Sequence, residues 1–141
     1  MEIKVKKLWS DVFLPRFAHE GDAGMDLFAN GDYVISPGER VIIGTGIAMQ
    51  IPKGYVGLIW DKSGIAKKYG LKVMGGVIDS IYRGEISIIV CNLDIVDNYY
   101  ISKGDKVAQL LIQKVESPTL VEVDELTETD RGSGGFGSTG K

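Results

Sequence analysis

Apolar residues in this chain come in short runs, mostly alternating with polar ones, and Gly, Pro or Asp breaks them every few residues. That pattern argues against long amphipathic helices, whose apolar stripe recurs every third or fourth residue, and it suits strands that bury one face. Ile3-Lys4-Val5-Lys6 alternates in this way. Arg40 to Ile43, Gly46 to Ile51 and Tyr55 to Trp60 read as three successive strands, punctuated by Gly44-Thr45-Gly46 and Pro52-Lys53-Gly54. Further strands are expected over 71–74, 85–91, 98–101 and 105–112, and a last one from Val115 to Glu122. One helical segment stands out, Ser63 to Tyr69, with Ser63 as its N-cap and Gly70 as its stop. Many short strands at this spacing predict an all-β sandwich, jelly roll or barrel. A chain of 141 residues can bury roughly two-thirds of its extended surface, enough for one core without staples.

Composition narrows the function. The formal net charge is −3, which argues against a basic nucleic-acid-binding surface. Cys91 is the single cysteine and His19 the single histidine. They exclude an internal disulfide framework, a multi-cysteine metal cluster and a paired-histidine metal site, and they suit a reducing compartment. The start, MEIKVKKLWSDVF, lacks the apolar stretch of a signal peptide. No apolar run approaches the roughly 18 residues of a membrane span. The expectation is a cytoplasmic protein without a membrane or nucleic-acid partner.

Glycine is the unusual component, 19 residues, about twice the ordinary usage of roughly 7%. Five of them fall in the last ten residues, within the segment TETDRGSGGFGSTGK, whose one apolar residue is Phe136. Such a segment does not bury enough surface to order by itself, and Phe136 is its candidate docking anchor. Two phosphate-binding patterns occur here by spacing alone. Gly132, Gly134 and Gly137 match G-x-G-x-x-G, and Gly135 to Lys141 matches G-x-x-x-x-G-K. Both patterns work by presenting phosphate to a helix N-terminus after a strand, and neither context exists here. What remains is a run of N–H and O–H donors with Arg131, suited to closing over a polyphosphate.

Five clusters stand out: Ala23-Gly24-Met25-Asp26-Leu27, Lys62-Ser63-Gly64-Ile65-Ala66, Gly76 to Glu85 (GVIDSIYRGE), Gly104 to Gln109 (GDKVAQ), and Arg131 to Gly140 (RGSGGFGSTG). In this order they resemble the five motifs of the trimeric dUTP diphosphatases (dUTPases), over nearly the whole chain. Three positions depart from the usual pattern. Asp61-Lys62 stands where Pro-Arg is common, and Ile81 stands where an acidic residue is frequent. Lysine keeps the charge but lacks the planar fork that grips phosphate bidentately. Asp61 either weakens anion binding or pairs with Lys62.

The resemblance implies a distorted jelly-roll or barrel-like fold with one short helix. It implies a β core over 1–126 and a flexible glycine-rich arm over 127–141 that closes on the active site. The implied reaction is hydrolysis of dUTP to dUMP and pyrophosphate, which limits uracil in DNA and supplies dUMP. Asp79, by itself readable as a turn cap, becomes the general base that activates water. Tyr82 lies against the deoxyribose and leaves no room for a 2′-hydroxyl. Gly76, Val77, Ile78 and Ser87 belong to a hairpin that reads uracil through main-chain groups. Lys62, Ser63, Gly64, Gln109 and Arg131 serve the phosphates. Phe136 stacks on the base, and Gly137, Ser138 and Thr139 join it in the closed arm. Asp26 is implied to reach Mg²⁺ through water, the ion being held mainly by substrate phosphates. Relatives form homotrimers with shared sites. Two other readings stand beside this one: a dCTP deaminase or bifunctional dCTP deaminase/dUTPase, which needs a glutamate-centred site, and a regulatory dUTPase-like binding protein on the same scaffold.

Overall fold

The structure is a computed structural model, and it describes residues 1–135. Ten strands and one helix follow one another: β1 (Lys4–Lys7), β2 (Met25–Phe28), β3 (Tyr33–Ile35), β4 (Arg40–Gln50), β5 (Tyr55–Asp61), α1 (Ser63–Tyr69), β6 (Leu71–Met74), β7 (Val77–Ile78), β8 (Glu85–Asn92), β9 (Tyr99–Ile101) and β10 (Lys106–Lys114). They form two four-stranded sheets, ordered β1-β4-β8-β6 and β2-β10-β5-β7, and a two-stranded sheet β3-β9. Every pairing is antiparallel. The all-β, jelly-roll-like class expected from the pattern of short runs is the class observed.

Side chains from both large sheets meet in one core. On β8 the alternation is strict: Ile86, Ile88, Val90 and Asn92 point inward and are fully buried. Burying each of these aliphatic side chains stabilises the fold by roughly 1.5–3 kcal/mol. Asn92 is polar but satisfied, since its Nδ2 donates to the Ile35 carbonyl (3.0 Å) and the Asp97 carbonyl (2.9 Å). Its Oδ1 accepts from the Asp94 amide (2.9 Å). One buried side chain thus pins β8, β3 and the loop before β9 together.

Three expectations need correction. Gly44-Thr45-Gly46 is not a turn: β4 runs unbroken through it, with the register against β8 shifting between Gly44 and Ala48. Gly46 has φ +71°, so the backbone bulges there instead of reversing, and the Glu85 carboxylate accepts the Gly46 amide (2.8 Å). The N-cap position of α1 is Lys62, not Ser63, and no side chain caps it. Gly70 does end the helix, with left-handed φ +66° and its amide on the Ala66 carbonyl (3.1 Å). Residues 115–122 form no strand, because no sheet edge of this chain receives them, and Leu120 and Val121 stand exposed. Strands β2, β3 and β7, of two to four residues each, are too short to show a period.

Candidate active site

The site is built from two groups of residues carried by the same sheet. The first begins where the chain leaves one sheet for the other. After β6, Gly75 and Gly76 take φ +67° and +99°, a corner that side chains rarely allow. A Cβ on Gly76 would also lie 2.8 Å from the Ile59 carbonyl oxygen. The corner delivers Val77 and Ile78 to the edge of β5, opposite Leu58 and Gly57.

A tight turn follows, with the Tyr82 amide on the Asp79 carbonyl (3.0 Å). Arg83 locks it by donating from Nη1 to the Ser80 and Tyr82 carbonyls (both 2.7 Å). The Tyr82 ring folds over Gly84, where any side chain would strike it, and its hydroxyl donates to the Glu85 carbonyl (3.0 Å). Val77, Ile78, Asp79, Tyr82, Glu85 and Ser87 line one cavity of about 170 Å³. Gly76 and Val77 also border a neighbouring cleft of about 270 Å³. Asp79 is exposed at the rim, and among the described residues its carboxylate has no ion-pair partner.

The second group lies at the far end of β5. Gln109 on β10 sits between Asp26 of β2 and Trp60 of β5, and its Nε2 donates to the Asp61 carbonyl (2.8 Å). A Cβ on Gly24 would lie 2.5 Å from Gln109 Oε1, so any larger residue there would push that amide aside. Lys62, Ser63 and Gly64 begin α1 beside them, with both Ser63 and Gly64 exposed.

Asp26 is buried, at 3% exposure. Lys62 bonds its Oδ1, and Lys106 Nζ lies 2.7 Å from Oδ2, an oxygen that no well-aligned hydrogen bond reaches. Burial by itself raises the Asp26 carboxyl, but the ammonium groups of Lys106 and Lys62 beside it outweigh that and hold the group below the ordinary carboxylate value. Asp61 does not pair with Lys62. It takes the Val73 amide (2.5 Å) and the Lys72 ammonium (2.6 Å) instead.

The two groups do not meet within one chain. Ile78 faces Gly57, and Lys62 lies five residues further along, roughly 17 Å of strand. Arg131 belongs to neither group, its Nε donating to the Gly134 carbonyl within its own turn (2.9 Å). Phe136, Gly137, Ser138 and Thr139 lie outside the described residues.

Three residues of the site carry no signal in the sequence strong enough to single them out: Lys106, Gly24 and Glu85. All three lie within the five sequence clusters, but the contacts of the first two join β2 to β10. Glu85 accepts the Gly46 amide and Asn30 Nδ2 (3.2 Å), contacts that span 39 and 55 residues of sequence.

Fold and site together define a jelly-roll β domain with a carboxylate-bearing hairpin at one end of a sheet and a lysine–hydroxyl–amide group at the other. Within that class the chain belongs to the dUTPase family, whose model matches residues 11–140. It is 50% identical over 141 residues to a deoxyuridine 5′-triphosphate nucleotidohydrolase of Corynebacterium glutamicum, covering 99% of this chain and 95% of that one. The corresponding protein of Thermobifida fusca is 46% identical over 142 residues, covering 99% and 79%. Among solved structures, the dUTPase of Staphylococcus bacteriophage 80alpha, determined with dUpNHpp, matches with TM-score 0.93 and 32% identity over 99% of both chains. A dUTPase from phage phi11 of S. aureus, described with a structural Mg(II) ion, matches with TM-score 0.85 and 31% identity over 91% of this chain and all of that one.

Proposed function

We propose that this protein hydrolyses dUTP to dUMP and pyrophosphate. The observation that carries the reading is the hairpin cavity, where an exposed carboxylate without an ion-pair partner, Asp79, shares a lining with the Tyr82 ring and the backbone of Val77 and Ile78. Main-chain groups on that scale suit a flat pyrimidine, and a snug wall rejects a 5-methyl or a 2′-hydroxyl by contact. Asp79 holds a water and takes its proton as the oxygen attacks the α-phosphorus. A new P–O bond forms, the bond from the α-phosphorus to the bridging oxygen breaks, and pyrophosphate leaves with that oxygen. Lys62, Ser63, Gly64, Gln109 and Arg131 bind the phosphates. Phe136 stacks on the base as residues 127–141 close, with Gly137, Ser138 and Thr139 adding donors.

Magnesium enters as part of the substrate. Among the described residues no three His, Cys, Asp or Glu side chains gather to hold an ion. Asp26 is already shared by two ammonium groups. A magnesium ion takes about six oxygens, so these residues fit an ion carried on the triphosphate, with Asp26 reaching it through water. Bound in this way, the ion offsets phosphate charge.

The working unit is a homotrimer with shared sites. The hairpin cavity and the phosphate-binding residues lie along β5 roughly 17 Å of strand apart, a separation that suits a site completed by a neighbouring copy. Beyond Lys114 the chain runs out with Leu120, Val121 and Leu126 exposed at 91%, 77% and 87%, apolar surface that a neighbouring copy would cover. No helix of the described residues is long and apolar enough to cross a membrane.

The Glu85 carboxylate is committed to Gly46 and Asn30, which favours diphosphatase over deaminase chemistry. A panel of dUTP, dTTP, dCTP and UTP assayed for pyrophosphate and ammonia, with and without magnesium, tests the reading. Selective pyrophosphate release from dUTP is the expected result. Ammonia from dCTP, or no turnover of any nucleotide, would overturn it.

A further inference from the structure

Two ammonium groups answer one carboxylate at the start of α1. The Asp26 side chain is 4% exposed, and those of Lys62 and Lys106 are 27% and 42% exposed. A buried carboxylate with a single cation holds it tightly, because parting them leaves a charge where water scarcely reaches. Lys62 alone would be slow to exchange Asp26 for a phosphate. Lys106 alters that balance by standing at Oδ2 while Lys62 bonds Oδ1. Asp26 then stays answered whichever way Lys62 turns.

The backbone shows how Lys106 comes to be there. Val107 and Ala108 are both buried, at 4% and 0%, which strict alternation forbids. The pairing of β10 with β2 is irregular between Lys106 and Ala108, and a bulge of this kind re-aims the next side chain. Without it, Lys106 would share the inward face of Ala108 and Leu110. With it, Lys106 falls on the face of Gln109, the residue that pairs directly with Asp26.

We propose that Lys106 is a positioning residue: by neutralising Asp26 from β10, it frees the Lys62 ammonium for the phosphate chain of a nucleoside triphosphate. This rests on the reading of Lys62 as a phosphate ligand. The roles are not interchangeable. Lys62 belongs to the same short segment as Ser63 and Gly64, whereas Lys106 is fixed on a strand behind the carboxylate.

The test is calorimetric binding of a non-hydrolysable imido analogue of dUTP, and of dUMP, to the full chain in its assembled form. Lys106→Met is expected to weaken the analogue roughly tenfold, with much less effect on dUMP, and Lys106→Arg to restore it. In an Asp26→Asn background nothing restrains Lys62, so Lys106→Met is expected to change little. A tenfold loss that persists there would mean that Lys106 meets phosphate directly, and an unaltered affinity in the single variant would reduce it to a surface charge. Either result overturns the proposal. Should Asp26→Asn fail to fold, the comparison is repeated in Lys62→Ala, where a smaller loss supports the proposal and an equal loss overturns it. Binding by a chain that turns over no dUTP would count against the proposed reaction alone, while failure of the unaltered chain to bind the analogue overturns both.

Discussion

Gln109 reaches from the middle of β10 to donate its amide to the backbone carbonyl of Asp61 at 2.8 Å. That bond ties the strand carrying the fourth sequence cluster to the last residue before Lys62, and leaves the second Nε2 hydrogen free for a ligand. Removing it by Gln109→Ala strands a half-buried carbonyl. The expected cost is about 1 kcal/mol of stability, with a rise in KM for dUTP of tenfold or so, read by urea unfolding and steady-state kinetics.

Asp61 is the other half of the same joint. Its carboxylate takes the Val73 amide and the Lys72 ammonium, so it holds the middle of β6 against the end of β5. Asp61→Ala is expected to lose about 1–3 kcal/mol. Asp61→Asn keeps an acceptor for the Val73 amide and should lose less. An Ala variant as stable as the Asn variant would show that the joint contributes nothing.

Asp79→Asn should lower kcat by at least about 10²-fold while leaving binding of a dUTP analogue nearly intact. The reason is that an amide still occupies the space but no longer accepts a proton from water. The wild-type unfolding midpoint is expected to persist, since the side chain is exposed and without an ion-pair partner among the described residues.

Placement of Lys62 and Asp79 at opposite ends of β5 leads to a mixing experiment. Asp79→Asn and Lys62→Ala chains, each impaired alone, are expected to regain activity when co-refolded. With random assembly, roughly a quarter of shared sites would join an intact hairpin to an intact Lys62. No recovery in demonstrably mixed trimers would place both groups in one chain's site.

Asp94 supplies a pH-dependent prediction remote from the site. Its carboxylate accepts the Asp97 (3.0 Å) and Val96 (2.8 Å) amides, and these hydrogen bonds hold it below the ordinary carboxylate range. A folded-state value that is depressed means the stabilisation is present above the unfolded value and is lost as pH falls through the folded one. Amide resonances of Val96 and Asp97 should therefore shift only below about pH 3.9. Asp94→Ala should abolish that transition.

The amino-acid order alone shows which residues alternate, where α1 lies and ends, and which short clusters resemble the dUTPase motifs. It could do so because these are local: a period of two sets the faces of β8, and Gly70 stops a helix by its own backbone freedom. The tertiary structure decided everything that depends on a partner. Gly44-Thr45-Gly46 has turn chemistry, yet Glu85, some forty residues on, accepts the Gly46 amide and turns the feature into a bulge. Val115 to Glu122 alternates in part like a strand, but it pairs with no sheet edge of this chain. Lys106 and Lys62 look like independent cations until β2 and β10 pair and bring Asp26 between them. Periodicity specifies which face of a segment is apolar, but not which distant segment will meet it, and the division of the site between the two ends of β5 follows from that second choice.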